Sequence, residues 1–421
     1  MKRKKNYIIW AFVLLAAAAS CAKDVNFSPS GSSAGTDPVS PDHRGAVKQV
    51  RNVMIMVSGG HNSLSGYLTD DLIEMAEGFV PEGTAAETNA FVVLSRLPVN
   101  SFSTTSAPVL YRLYKTETGV VVRDTLRRWT TEDRLFGGTV LHDALLTVRD
   151  RIPSKSYGMV LSSHASGWLP PGYYDNPSHF DTMKRGLTSI GQDLDGNVSV
   201  EMDLVDFADA IPYNLNYVVL DCCLSGGVEV AWALRGKTDV VAFTQTETMA
   251  DGFDYKKILE RLLKEPVPNP LGVCQDFYNY YMAKTGVNQS ATISLVDTRQ
   301  MEPLAAVCKT LFAKYREPLS RLKVNSAQRY FRYDRHYFYD LRDILVKAGV
   351  TAGELQELDQ ALDACVLYKA ATPYFMQGSQ YGFAIETHCG LSMYLPSQGT
   401  DYLDRYYKTY ITWNQATDLV L

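Results

Sequence analysis

The residues of this chain with the clearest chemical potential are two neighbouring cysteines and one histidine. Residues 217–227, YVVLDCCLSGG, run from an apolar, strand-like segment through Asp221 into Cys222, Cys223 and a glycine turn. An earlier stretch of the same kind, 157–162 (YGMVLS), ends just before His164. A thiol attacks a carbonyl carbon when an imidazole manages the proton and N–H donors meet the oxyanion. Cys223 precedes a predicted helix, whose free N–H groups would lower a thiol's pKa and favour a nearby oxyanion. Taken singly, a histidine after a strand is commonly structural and a cysteine in a glycine turn commonly inert. Their joint position at strand ends carries the weight. Adjacent strand-end residues point to opposite faces, so only one of the two sulfurs can meet His164. On residue types alone the choice stays open.

What must position these groups is a sheet. The apolar runs 51–57, 90–95, 157–162, 217–221 and 239–243 read as buried parallel strands, and 109–114 with 120–126 as a hairpin. Helical spacing falls between them at 63–76 (Leu64, Leu68, Leu72, Met75), 139–151, 201–211 and 228–234. This alternation predicts an α/β fold, a mainly parallel sheet with helices on both faces. Ligands in such sheets sit at the carboxyl ends of strands, where His164 and Cys223 fall. Beyond residue 290 the chain is more helical, at 271–284, 300–322, 336–348 and 353–368. Short strands at 291–296 and 391–395 either extend the sheet or form a small one. The expected division is 49–290 as the α/β domain and 291–421 as a mainly helical subdomain. The intervening 165–199 is rich in Gly, Pro, Asp and Ser, and a loop of that length in a compact protein is usually functional.

With 41 basic and 46 acidic residues the net charge is −5, so no basic field points to nucleic acid. Lys2, Arg3, Lys4 and Lys5 precede an apolar run at 7–19, too short for the roughly twenty residues of a spanning helix. Ala18-Ala19-Ser20-Cys21 resembles a bacterial lipobox, with Ala18 where Leu is commonest. The resemblance implies a signal peptide at 1–20, acylation of Cys21 and a lipid-anchored protein of the cell envelope. Residues 21–48 are then a flexible tether. The other cysteines, 222, 223, 274, 308, 365 and 389, lack metal or disulfide-scaffold spacing and read mostly as buried free thiols.

D-C-C-L-S-G followed by VEVAWALRGKTDVVAFTQTETMADGFDY resembles the nucleophile region of the clostripain family of cysteine peptidases, in the caspase-like clan. Residue by residue, Cys223 takes the nucleophile position, Cys222 a small-residue position and Asp221 an acidic position of the S1 pocket. SSHASGW resembles the family's histidine motif and makes His164 the catalytic histidine. MADGFDY places Asp251 at a second acidic S1 position. Asn62 and Leu64, YFYDLRD at 337–343 and GLSMYLP at 390–396 extend the likeness over about 50–400. The resemblance implies a caspase-like catalytic domain and an endopeptidase that cuts after Arg or Lys. Backbone N–H groups of Ala165 and Cys223 would hold the oxyanion. It implies no organic cofactor, and a possible calcium dependence. Two carboxylates at the base of a pocket are costly to bury unpaired, and a substrate Arg or Lys neutralises them.

Three positions depart from the family pattern: Ala165 replaces a glycine, Cys222 adds a second sulfur, and Ser163 stands where Asp is common. A catalytically inactive relative that binds peptides or host proteins at the cell surface is therefore the alternative. The resemblance also implies self-cleavage between histidine and cysteine, for which Lys184-Arg185 within 169–195 is the natural site. Residues 193–197 (DLDGN) are similar to a calcium loop but lack its glycine and glutamate spacing, and read as a turn. No metal site is expected. His61 follows the first strand without a cysteine to answer it and reads as structural.

Overall fold

The computed structural model describes residues 49–421 except 61, 98–105, 171–172, 174–189, 196–197, 324 and 333–336. Cys21, His61, Lys184 and Arg185 lie outside the described residues. The chain opens with β1 (Val50–Ser58), α1 (Ser65–Glu77), α2 (Thr84–Thr88) and β2 (Asn89–Ser95). The hairpin β3 (Val109–Lys115) and β4 (Val121–Arg128) follows, then α3 (Val140–Arg151) and β5 (Ser154–Ser162). A second hairpin, β6 (Ile190–Asp195) and β7 (Val198–Met202), leads to α4 (Leu204–Asp209), β8 (Leu215–Asp221) and α5 (Val228–Ala233). Next come β9 (Thr238–Phe243), α6 (Tyr255–Leu259), α7 (Pro270–Met282), β10 (Thr292–Asp297) and α8 (Met301–Lys314).

The main sheet has nine strands in the order β12-β10-β9-β8-β5-β1-β2-β3-β4, where β12 is Val366–Ala371. Its five central strands, β9 to β2, are all parallel. Both margins turn antiparallel, through β2-β3-β4 on one side and β9-β10-β12 on the other. A parallel strand covered on both faces must be apolar on both, which is why RNVMIMV shows no alternation. Val53, Ile55 and Val57 enter one core with α3, α4, α5 and α8, while Met54 and Met56 enter the other with α6 and α7. Helices thus cover both faces, as the strand-helix alternation predicts. Residues 46–421 form one compact unit, and β10 and β12 carry the sheet on past residue 291.

Several expected elements differ in extent. The helix expected at 201–211 begins only at Leu204, because Asp203 caps it by accepting from the Asp206 N–H at 2.7 Å, while Glu201 and Met202 pair with β6. The helix expected at 336–348 starts at Leu341, where Asp340 is the cap (2.9 Å from the Asp343 N–H). Tyr339–Asp340, labelled β11, pairs with Ser392–Met393 in a small separate sheet. The stretch at 353–368 is helical only to Cys365; Val366 and the residues after it join the open edge of β10 instead. Within 165–199 the described part forms the β6-β7 hairpin. Among the described residues no helix is long and apolar enough to cross a membrane.

Candidate active site

The site is built on two adjacent parallel strands. Ser162 at the end of β5 pairs with Asp221 at the end of β8. His164 and Cys223 each lie two residues beyond that pair, so the register delivers them to one level at the carboxyl edge of the sheet. Both strands end at that pair, so parity does not carry into the turn, and Cys223 packs against the same core cluster that buries Cys222. The Cys222 side chain is buried in the core, with Sγ 3.6 Å from the Leu161 carbonyl. Cys223 is only partly buried, and its thiol donates to the Thr248 carbonyl at 3.8 Å. Degree of burial, not face, thus separates the two cysteines.

The turn after the cysteines is held from several sides. Leu224 N–H donates to the Thr246 carbonyl (3.0 Å) and Gly226 N–H to that of Thr244 (2.6 Å). Ser225 and Thr244 hydroxyls both donate to the Cys222 carbonyl, at 2.9 and 3.1 Å. Leu224 itself takes φ 58°, a left-handed conformation that costs a non-glycine residue about 1–3 kcal/mol and persists only where surroundings enforce it. The expectation that a helix start lowers the thiol's pKa is not met. α5 opens only at Val228, and burial pushes the Cys223 thiol up to about 12, with the Glu247 charge adding to the effect. The resting group is a thiol.

His164 is half-buried, and its Nε2 lies 2.8 Å from the hydroxyl of Ser63 in the loop before α1. Its carbonyl accepts from the Gly191 N–H at 2.9 Å, so β6 braces the histidine loop. Asn62 does so as well, donating to the Gln192 carbonyl at 2.8 Å. Trp168, fully buried, anchors the far end of the loop against Tyr394 (centroids 4.7 Å) and Tyr407 (5.0 Å). Ala165 is not in the left-handed region, so alanine carries no conformational penalty there. Among the described residues nothing accepts from the backbone N–H of Cys223 or of Ala165.

Asp221 is buried, accepts hydrogen bonds from Tyr255 (2.6 Å) and Ser162 (3.1 Å), and is pushed up to about 6 by burial against those bonds. Asp251 is exposed and already partnered, forming an ion pair with Lys284 and accepting from Tyr280 at 3.3 Å. The chain that carries it is tight against Asp221: a Cβ on Gly252 would fall 2.5 Å from Asp221 Oδ2. Asp193 is fully buried, ion-paired with Arg96, and accepts from the Leu135 N–H at 2.8 Å. Those partners, and its place in β6, do not fit a calcium loop. Among the described residues no group of three or more His, Cys, Asp or Glu could hold a metal ion.

Three neighbours of the site escaped the sequence reading. Ser63 was taken only as a helix start, although the rule that ligands gather at carboxyl strand ends applies to its loop too. Glu247 is buried near Cys223 and pushed up to about 7 by burial, with Arg332 Nε 2.8 Å from its Oε1 as an opposing charge. Asp71 occupies a buried position on α1 beside Leu68 and Met75. An acid on the apolar stripe of 63–76 was the available signal.

A partly buried thiol and an imidazole at one sheet edge, with two unengaged N–H groups beside them, have the parts of a thiol-nucleophile acyl-transfer site. The family model described as the clostripain family matches residues 56–419, and the chain belongs to that family of cysteine peptidases. It is similar in structure to an inactive zymogen C11 protease from Parabacteroides distasonis, with a TM-score of 0.71 and 25% identity over 88% of this chain and 98% of that one. A secreted C11 cysteine protease from Bacteroides thetaiotaomicron, in complex with an irreversible peptide inhibitor, gives 0.70 and 23% over 88% and 99%. The structure of such a secreted protease named iotapain, from the same organism, gives 0.71 and 22% over the same shares. No curated protein sequence matches the chain. The protein is a protease, a hydrolase of peptide bonds, with the caspase-like α/β sheet and helical C-terminal part expected of the family.

Proposed function

We propose that the chain is an endopeptidase that cuts after Arg or Lys through a dyad of Cys223 and His164. The observation that carries this reading is the β5-β8 register, which brings both residues off adjacent strands at one level. As the Cys223 sulfur forms its bond to the scissile carbonyl carbon, the thiol proton passes to His164. The carbonyl oxygen becomes an oxyanion that the Cys223 and Ala165 N–H groups can meet. Collapse breaks the C–N bond, His164 returns the proton to the leaving amine, and a thioester remains. Water then attacks the thioester, His164 takes its proton, and the thiol is restored with release of the carboxyl product. No step needs an organic cofactor; assay with and without a chelator tests the calcium dependence that the family resemblance implies.

Asp221 favours a basic side chain at P1, with Asp251 beside it once Lys284 yields. The alternative of an inactive peptide-binding relative rests on Ala165 and Cys222; a backbone outside the left-handed region at Ala165 and the core position of Cys222 favour the enzyme reading over it. Turnover of an Arg-containing fluorogenic peptide is the test: activity in the wild type and none in Cys223→Ala supports the reading. An inert, reduced and loop-cleaved wild type refutes it.

Cleavage after Lys184 or Arg185 is proposed as the activating step, in keeping with the zymogen state of the similar P. distasonis protease. New N-termini after incubation would reveal it, and an intact loop in active enzyme would rule it out. Lipidation of Cys21, with anchoring in the cell envelope, is proposed from the sequence. Loss of membrane partitioning in Cys21→Ala is its test.

A further inference from the structure

We propose that Asp71 is a third carboxylate of the pocket that receives the substrate's basic side chain, and that it determines specificity there. The proposal rests on the basic-P1 reading given above. Asp71 lies on α1 between Leu68 and Met75, which are 1% and 0% exposed, and is itself 7% exposed. An apolar side chain would suit that face better, because a buried carboxyl without a partner costs several kcal/mol or must stay protonated.

Among the described residues no hydrogen bond or ion pair satisfies Asp71. The nearby cations are engaged elsewhere, Lys284 with Asp251 and Lys256 with Glu77. What faces Asp71 is acidic or phenolic on every element around it. Asp70 and Glu74 share its helix, Asp221 comes from β8, and Asp251 from the loop before α6. Tyr255 on α6 and Tyr281 on α7 complete the surround, both sensing its charge. α1 packs directly on α6, whose Tyr255 donates to Asp221 at 2.6 Å, so Asp71 and Asp221 look onto a common phenol. Carboxyl groups gathered around a buried position, with no cation paired to Asp71 among the described residues, are complementary to a guanidinium or an ammonium.

Its surroundings keep Asp71 protonated: burial first, then repulsion from Asp221, pushes it up to about 9. An arriving cation reverses that balance. The carboxyl releases its proton to solvent and becomes a carboxylate paired with the substrate's charge, so binding and proton release are linked.

The test compares matched peptides with Arg, Lys or citrulline at P1, since citrulline keeps the shape of arginine without its charge. In Asp71→Asn the Arg-over-citrulline ratio of kcat/KM should fall about tenfold or more, mostly through KM, as expected for loss of a charged hydrogen bond. The thermal midpoint should hold or rise, because an unpartnered acid is gone. An unchanged ratio, or equal losses on all three peptides, overturns the proposal. A wild type that cuts citrulline as readily as Arg or Lys overturns the basic-P1 reading itself, a distinguishable failure. If Asp71→Asn does not fold, Cys223→Ala can bind the same Arg peptide in two buffers of different ionisation heat near pH ~7.5. Release of close to one proton is expected, and none overturns the proposal.

Discussion

Gly167 of the histidine loop lies against the carbonyl of Leu224 in the cysteine turn, so closely that a Cβ on Gly167 would fall 2.4 Å from that oxygen. Both residues have left-handed backbones, φ 63° and 58°. The histidine loop and the cysteine turn are thereby registered against each other through main chain, where no rotamer can absorb a shift. Gly167→Ala should destabilise the fold by about 2 kcal/mol or more and lower kcat/KM at least tenfold. Urea melts read beside peptide turnover check this, and a variant within twofold of wild type in both would break the link.

Ser63 holds His164 by one ring nitrogen at 2.8 Å. Ser63→Ala leaves the fold intact, since the hydroxyl is exposed, but removes this hold on the ring. One neutral hydrogen bond is worth about 1 kcal/mol, so kcat should fall about fivefold with KM little changed. A loss confined to KM would mean that Ser63 touches substrate and does not orient the imidazole.

Stability should fall as pH rises from 6.5 to 8.5. Burial holds Glu229 and Glu247 up near 7 and Asp71 near 9, well above the unfolded values near 4. Across that window the folded state binds more protons than the unfolded one, so the stability contributed by the protonated forms is lost as each folded pKa is passed. His388, pushed down to about 3 by burial, acts oppositely but only below the ordinary histidine range. A thermal midpoint flat or rising between those pH values contradicts the assignment, and Asp71→Asn should shallow the slope.

Cys222 is 1% exposed and faces the core. Cys222→Ala should cost about 1–2 kcal/mol for the lost sulfur while leaving turnover within about twofold. Activity retained in Cys223→Ala but abolished in Cys222→Ala would exchange their roles.

The sheet could be read from the sequence because strands covered on both faces must be apolar throughout, as RNVMIMV and YVVLD are. The antiparallel margins were less legible. Val366 and Tyr368 follow a helix without a breaker, and only the open edge of β10 makes them a strand. The choice between the sulfurs needed the family likeness in sequence; in the structure the two differ in burial, Cys222 enclosed and Cys223 partly buried. The thiol's raised pKa depends on burial beside Glu247, a residue whose approach no spacing announces. Asp71 was masked by a helical stripe that looked complete without it.

Of the six cysteines in the described residues, five are buried and one, Cys223, is only partly buried. Toward a thiol-selective electrophile Cys223 is therefore the least shielded of the six. The fraction of chains that such a reagent labels becomes a direct count of competent sites, separating molecules whose entrance has opened from those still closed.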